Sequence, residues 1–556
     1  MRLCSAMGGL LVLVASVSSA GPTGSEKTQA GPNLWAMAQE KGLVHRFSTL
    51  FTAQDVRDSL ATDAGLNEAV AWCKATGVTK VYIEVFRGNY QADRDTLVRA
   101  RDRFAREGFI VGGCVTTTRV GKDSTRYKTV SCYTDPATHD RLEKIFRYAA
   151  GLFDVIMIDD FWFTDCECDE CKKARGDKSW AEYRCALMTR MSLERVIGPA
   201  REVNPKVRII IKYPEWYDTF HDRGYDVTRE PELFDVTWIG TETRDPDNPR
   251  WGKKPQYGAY WISLWARAFS RGKLGGGWYD PLGTTPNTYV EQGRQTILGL
   301  CPESMLFCYG ALHRDTGPDD VAALRRELPG QIALAELVRG EKIRGVGTYK
   351  PPSSPPREDA YIFNFAGMLG IPMTADVTFP AEAPSLFLTC HALADPKFES
   401  ELGEAVDQGR PILLTSSLRA SLPAPMRERL SKPNIQVLEL KGKETKASLY
   451  GVLDSVRDLV NLPREKVDAL RRPLLEPMGV DLSAPPRVAL YLYGERKVVL
   501  ENFNDEAVQV ALDVRGAKEF KQALVLPPGA EPKLETTGSK AKIVLPARSL
   551  LALTVR

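Results

Sequence analysis

Between about residue 43 and residue 340 the chain alternates short, continuous apolar runs with longer stretches in which apolar residues recur at helical spacing. The runs are "HRFSTLFTA" (45–53), "TKVYIEVFRGNY" (79–90), "FIVGGCVTTT" (109–118), "FDVIMIDDFW" (153–162), "VRIIIKYPEW" (207–216), "FDVTWIGTETR" (234–244), "LGGGWYDP" (274–281) and "MLFCYGAL" (305–312). Apolar without alternation, they read as strands buried on both faces of a parallel sheet. Helices are expected near 64–75, 93–106 and 136–150. Eight such strands, most followed by a helix, predict a (β/α)8 TIM barrel. An open doubly wound sheet is the alternative, and it would gather polar groups at one switch point. Here they follow the carboxyl end of strand after strand: Glu84 and Arg87, Asp159 and Asp160, Lys212 and Glu215, Glu242 and Arg244, Trp278 and Asp280. Barrel active sites lie on that face.

Past a helix ending near Arg339 the pattern changes. "TYKPPSSPPRED" (348–359) reads as a Pro- and Ser-rich linker. A smaller strand and helix alternation follows in "AYIFNFAGMLGI", "SLFLTC", "FESELGEAVDQG", "PILLTSS" and "IQVLEL", which predicts a compact α/β domain. From about residue 487 the period is two, between turn residues, which predicts a small antiparallel β-sandwich. The expected division is 1–20 signal peptide, 21–345 barrel, 346–484 α/β domain and 485–556 sandwich.

The first segment carries one Arg, an apolar run from Met7 to Val17 and small residues ending at Ala20, a secretory signal with a cut after Ala20. Export to the periplasm or the extracellular space is expected, with no membrane span, because no apolar stretch reaches the ~18 to 20 residues a spanning helix needs. Charge narrows the partners: 74 basic and 71 acidic side chains in 556 residues leave a net +3, no basis for binding nucleic acid or an anionic membrane. Small or neutral partners are expected, and homo-oligomerisation is compatible with the composition.

Asp159 and Asp160 end the fourth strand, where successive side chains point to opposite faces, so one should face the mouth and its neighbour support a loop. Asp160 is ranked first and Asp159 second. Glu242 follows the sixth strand, with Arg244 in reach to tune its ionisation. Two carboxylates across a barrel mouth suit glycoside hydrolysis, in which one acid protonates the leaving oxygen and a carboxylate attacks or activates water. Trp162, Trp216, Trp238, Trp261, Trp265 and Trp278 offer aromatic faces for sugar C–H surfaces. Substrate contacts are expected from Glu84, Trp162, Lys212, Glu215, Trp216, Arg244 and Trp278.

Other chemistries lack their motifs: no His-Glu-x-x-His, no Gly-x-x-x-x-Gly-Lys and no Gly-x-Ser-x-Gly occurs. No catalytic cofactor is expected. The glycines at 275–277 relieve crowding at a strand entrance. His45 and His313 fall near the first and eighth strands, either at the mouth or buried and satisfied. Cys390 and His391 are adjacent on a strand and so diverge, which opposes a thiol nucleophile. Cys166, Cys168 and Cys171, at C-x-C-x2-C spacing, either hold a metal or form disulfides.

This order of parts resembles the family 42 β-galactosidases and related clan A glycoside hydrolases: a fourth strand ending in carboxylates and running into a C-x-C-x2-C loop, then an α/β domain, then a β-sandwich. The resemblance implies that the α/β domain is flavodoxin-like. It also implies a structural zinc on Cys166, Cys168 and Cys171 with one earlier cysteine, here Cys132, or Cys185 in competition. Asp159 and Asp160 stand where that family has Asn and Glu, and Asp280 stands on the seventh strand where its nucleophile belongs. Carboxylates on strands four and six are instead similar to the α-galactosidase clan, so the resemblance does not carry β-galactosidase activity with it.

The expectation is therefore a retaining glycoside hydrolase acting on an oligo- or polysaccharide. Its catalytic candidates are Asp160, Glu242, Asp159 and Asp280. The alternative is a non-catalytic carbohydrate-binding or scaffold protein on a decayed barrel.

Overall fold

Seven of the eight apolar runs contain their strand, and the eighth, 305–312, holds only the end of one that begins at Glu303: β1 Arg46–Phe51, β2 Lys80–Arg87, β3 Ile110–Val115, β4 Val155–Ile158, β5 Arg208–Tyr213, β6 Val236–Gly240, β7 Leu274–Tyr279 and β8 Glu303–Leu306. Neighbours pair in parallel in that order, and β1 pairs with β8 as well as β2, which closes a (β/α)8 barrel. The computed structural model describes residues 33–248, 250, 254–315, 317–440 and 452–556, and the expected signal peptide lies outside them. Helices Asp63–Ala75, Arg94–Arg106 and Pro136–Ala150 start where Thr62, Asp93 and Asp135 accept hydrogen bonds from the backbone N–H three residues on.

The barrel interior is filled by Leu50, Tyr82, Cys114, Met157, Ile210, Trp238, Trp278 and Met305. The glycine run on β7 makes room for one of these. A Cβ on Gly275 would stand 2.9 Å from Trp238 Nε1, and one on Gly276 would stand 2.7 Å from Trp238 Cζ2. Trp238 therefore plugs the barrel and offers no face to a substrate.

A second sheet comprises β9 Val346–Tyr349, β10 Met373–Asp376, β11 Leu386–Leu388, β12 Ile412–Thr415 and β13 Ile435–Leu438. All pairs are parallel, in the order β10-β9-β11-β12-β13, the flavodoxin-like arrangement. The segment expected as a linker is not one. Thr348 and Tyr349 end β9, and Lys350, Ser354 and Asp359 are buried in the loop beyond it. "IFNFAG" (Ile362–Gly367) forms a helix.

Two antiparallel sheets follow. The first holds Ile343–Arg344, Val488–Tyr493, Lys497–Asn502, Ser549–Val555 and Phe520–Leu526; the second holds Val480–Ser483, Val508–Val514, Lys540–Leu545 and Lys533–Thr537. Leu34–Arg556 pack as one unit. The barrel helix Tyr257–Phe269 is apolar nearly all round because its far side meets the second sheet. There Trp261 Nε1 donates to Thr348 Oγ1 at 3.0 Å, Trp265 Nε1 donates to the Lys350 carbonyl at 2.8 Å, and Trp261 stacks on Phe363. These two tryptophans join sheets and stand away from the mouth.

Candidate active site

Alternation along β4 turns Met157 into the barrel, and two residues on Asp159 turns the same way. Asp159 Oδ1 accepts from Lys212 Nζ on β5 at 2.5 Å, and its Oδ2 accepts from Arg87 Nη2 at 2.5 Å and Thr116 Oγ1 at 2.9 Å. Burial alone would raise the Asp159 pKa, but the charges of Lys212 and Arg87 outweigh it and hold the carboxyl well below the usual range. Lys212 is itself fully buried, with its Nζ 3.8 Å from the centre of the Trp278 ring.

Asp160 lies on the other side of the turn. Its carbonyl accepts from Tyr225 Oη at 2.6 Å. Its half-buried carboxyl makes no side-chain hydrogen bond among the described residues, and burial together with the Asp159 charge pushes its pKa up to about 7. The sequence ranking of this pair therefore meets a division of labour: one carboxylate clamped and ionised, its neighbour unclamped and titrating near neutrality.

Across the mouth the loop after β6 brings Glu242 and Arg244 together with Asp280 from the end of β7. Arg244 Nη2 stands 2.8 Å from Asp280 Oδ2 and 3.3 Å from Glu242 Oε2. Glu215, after β5, accepts from Lys254 Nζ at 2.5 Å and from the Glu242 carboxyl. Burial opposes its ionisation, yet the charges of Lys254 and Arg244 and the Glu242 hydrogen bond lower its pKa to about 2. Glu242 is shifted the other way. Burial raises it well above the usual carboxyl value, Arg244 opposes this, and the negative charges of Glu215, Asp280 and Asp160 add to it.

The structure thus gathers Asp159, Asp160, Lys212, Glu215, Glu242, Arg244 and Asp280 at one end of the barrel. Glu84 is there too: its oxygens are taken by the Ala53 N–H, Arg87 Nε and Thr116 Oγ1. Trp278 lies beneath Lys212 in the interior. Trp162 points outward into the helix layer, where its Nε1 donates to Ser192 Oγ at 3.0 Å. Of the tryptophans named from sequence, Trp216 alone stays half-exposed at the mouth, edge-on to Phe163 and beneath the Arg223 guanidinium.

His45 is at the opposite, amino end of β1, bonded to Ser304 Oγ at 2.9 Å, and burial lowers its pKa to about 4. His313 leaves the mouth to meet Glu68 outside the barrel. His391 bonds to Asp218 at 2.8 Å, apart from Cys390. Arg87, Thr116 and Lys254 complete the network. Arg87 was among the strand-end groups read from sequence, and Thr116 sits at a strand end and was open to discovery on that ground; Lys254, in "RWGKKPQYG", carries no sequence signal.

Behind β4 the four sulfurs of Cys132, Cys166, Cys168 and Cys171 lie within 4.8 Å of one another. Cys132 stands 3.5 Å from Cys171 and 3.7 Å from Cys168, and Cys168 stands 3.6 Å from Cys171. A tetrahedral zinc with Zn–S bonds of ~2.3 Å separates its sulfurs by ~3.8 Å, so this donor set fits that ion. The spacing is far beyond the ~2.05 Å of a disulfide. Thr134 Oγ1, 3.0 Å from Cys171 Sγ, orients one thiol from outside the four. Cys185 is not part of the group, since its thiol faces the His221 and Tyr225 carbonyls.

The chain thus places opposed carboxyls at the carboxyl end of a closed parallel barrel. The family described as probable glycosyl hydrolase, catalytic domain, matches residues 32–327, and the chain belongs to it. An uncharacterized protein of Saccharolobus solfataricus is 28% identical over 364 residues, covering 57% of this chain and 59% of that one, so this chain spans less than two thirds of that relative's length. Alpha-L-fucosidase isoenzyme 2 from Paenibacillus thiaminolyticus superposes with a TM-score of 0.61 at 11% identity, over 92% of this chain and 99% of that one. That likeness is one of fold.

Proposed function

We propose that this chain is an exported, retaining glycoside hydrolase in which Asp159 attacks the anomeric carbon and Glu242 protonates the departing oxygen. The opposite ionisation of these two carboxyls carries the reading: Asp159 held charged by Lys212 and Arg87, Glu242 held protonated across the mouth. A general base that activates water needs a pKa near the working pH. Asp159 lies too far below that to serve as one, but it is always ionised, as a nucleophile must be.

In the first step the Asp159 oxygen forms its bond to the anomeric carbon as the glycosidic C–O bond breaks, and the Glu242 proton moves to the leaving oxygen. In the second, Glu242 takes a proton from water, the water oxygen attacks the same carbon, and Asp159 leaves. Lys212 and Arg87 steady Asp159 in both steps. Asp160, ranked first from sequence, becomes a neighbour that binds or tunes; Asp280 orients Arg244. We also propose export, on the signal-like first 20 residues, and a structural zinc on the four cysteines, bracing the loops after β3 and β4 away from the reaction.

The test is a panel of aryl glycosides with wild type, Asp159→Asn, Asp160→Asn and Glu242→Gln, with product anomers followed by NMR. Retention, with Asp159→Asn inactive and folded, supports the scheme. Full activity in Asp159→Asn removes it, and sugar binding without turnover by the wild type replaces it with a binding function.

A further inference from the structure

At the junction of the loop after β6, the second sheet and the β-sandwich lies a cavity of about 200 Å³, far more than the ~30 Å³ share of one water. Three arginines from separate segments reach it: Arg457 from the second sheet's C-terminal helices, and Arg487 and Arg548 from the sandwich. Arg548 is already paired, to Asp505 at 2.7 Å and Glu291 at 3.5 Å. Among the described residues Arg457 has no such partner: its Nε and Nη2 are both buried and without a hydrogen bond, a state that folding penalises for a buried donor. The Arg487 backbone is pinned by bonds to Met368 and Phe503, with φ at 63°, so its side chain is aimed by a fixed main chain. Phe365 and Phe503 supply an apolar wall, and Asp247 is exposed at the rim.

We propose that this cavity is a second carbohydrate site, selective for a sugar that carries a carboxylate. A guanidinium fork with vacant donors matches a carboxylate in bidentate fashion, and the two phenyl faces suit a ring's C–H surface. The site is separate from the catalytic mouth but shares a wall with it. On the strap between β6 and the helix Tyr257–Phe269, Arg244 and Lys254 face the carboxylates while Pro246, Pro255 and Gln256 line the cavity. The saccharide part rests on the proposed function above; the anion recognition does not.

Isothermal titration of the intact protein with sodium D-glucuronate, D-glucose and sodium sulfate tests this. Saturable glucuronate binding is expected, at least tenfold weaker in Arg457→Gln and in Arg487→Gln, unchanged in Glu242→Gln, with aryl glycoside hydrolysis unchanged in both arginine variants. Failure of the hydrolysis scheme leaves this binding in place, so the two readings fail separately. Arg487→Gln removes only the attraction of its charge for Asp505 and no side-chain hydrogen bond among the described residues, and it keeps the test valid if Arg457→Gln does not fold. The proposal falls if no saturable glucuronate binding is seen, if Arg487→Gln binds as tightly as wild type, if glucose binds equally well, if sulfate binds as an adventitious ion only while glucuronate does not, or if Glu242→Gln abolishes binding.

Discussion

Lys212 on β5 and Asp159 at the end of β4 form a 2.5 Å ion pair closed to solvent on both sides. An isolated buried pair of this kind is expensive to desolvate. Here Arg87 and Thr116 take the remaining carboxylate sites, and the Trp278 face lies against the ammonium.

Asp159→Asn is expected to lower kcat by at least about 10³-fold, in line with loss of an essential nucleophile. Far-UV circular dichroism should be unchanged and external azide should restore part of the turnover. A kcat within a factor of about ten of wild type would give the role to another carboxyl.

For Glu242→Gln the loss should depend on the leaving group. Glycosides of basic alcohols should slow by roughly 10²–10⁴-fold, the usual worth of a positioned acid, while dinitrophenyl glycosides, which need no proton, should be cleaved far less impaired. Equal losses on both would rule out the acid role.

Asp160 ties stability to pH. An unperturbed Asp titrates near 3.9, and in the fold Asp160 is raised to about 7. The folded state therefore keeps a proton that the unfolded chain has lost, so the group subtracts stability as pH rises from about 4 to about 7, and fully above. Asp160→Asn should raise Tm at pH 8 and leave it nearly unchanged at pH 4; the same change at both values refutes the shift.

Purified protein should carry one zinc per chain and yield free thiols at all four clustered cysteines on denaturation. Cys171→Ala should lose the metal and lower Tm, while Cys185→Ala should leave the stoichiometry alone.

Gly276→Ala places a methyl 2.7 Å from the Trp238 ring. Overpacking of this kind costs about 1–3 kcal/mol, so Tm should fall, and the double variant Gly276→Ala, Trp238→Phe should recover part of it.

The barrel was legible because a strand buried on both faces is largely apolar, and because charged residues such as Asp159 and Glu242 follow directly on the apolar runs and so mark the end of the wall. The cysteine cluster was legible because Cys166, Cys168 and Cys171 are near in sequence. What stayed hidden depends on facing. Trp162, Trp238, Trp261 and Trp265 look alike along the chain, yet one lies in the helix layer, one plugs the barrel and two face another sheet. Lys254 meets Glu215 only through a loop whose path no local pattern records.

The indoles of Trp261 and Trp265 have a consequence for how such a chain can be cut or recombined. A fragment ending at residue 345 would contain all eight barrel strands yet leave two N–H groups and a broad aromatic face without their partners on β9 and the loop beyond it. Modularity in this protein stops short of the barrel. Transplanting the catalytic part to another chain means carrying the flavodoxin-like sheet along with it, or redesigning one face of a single helix.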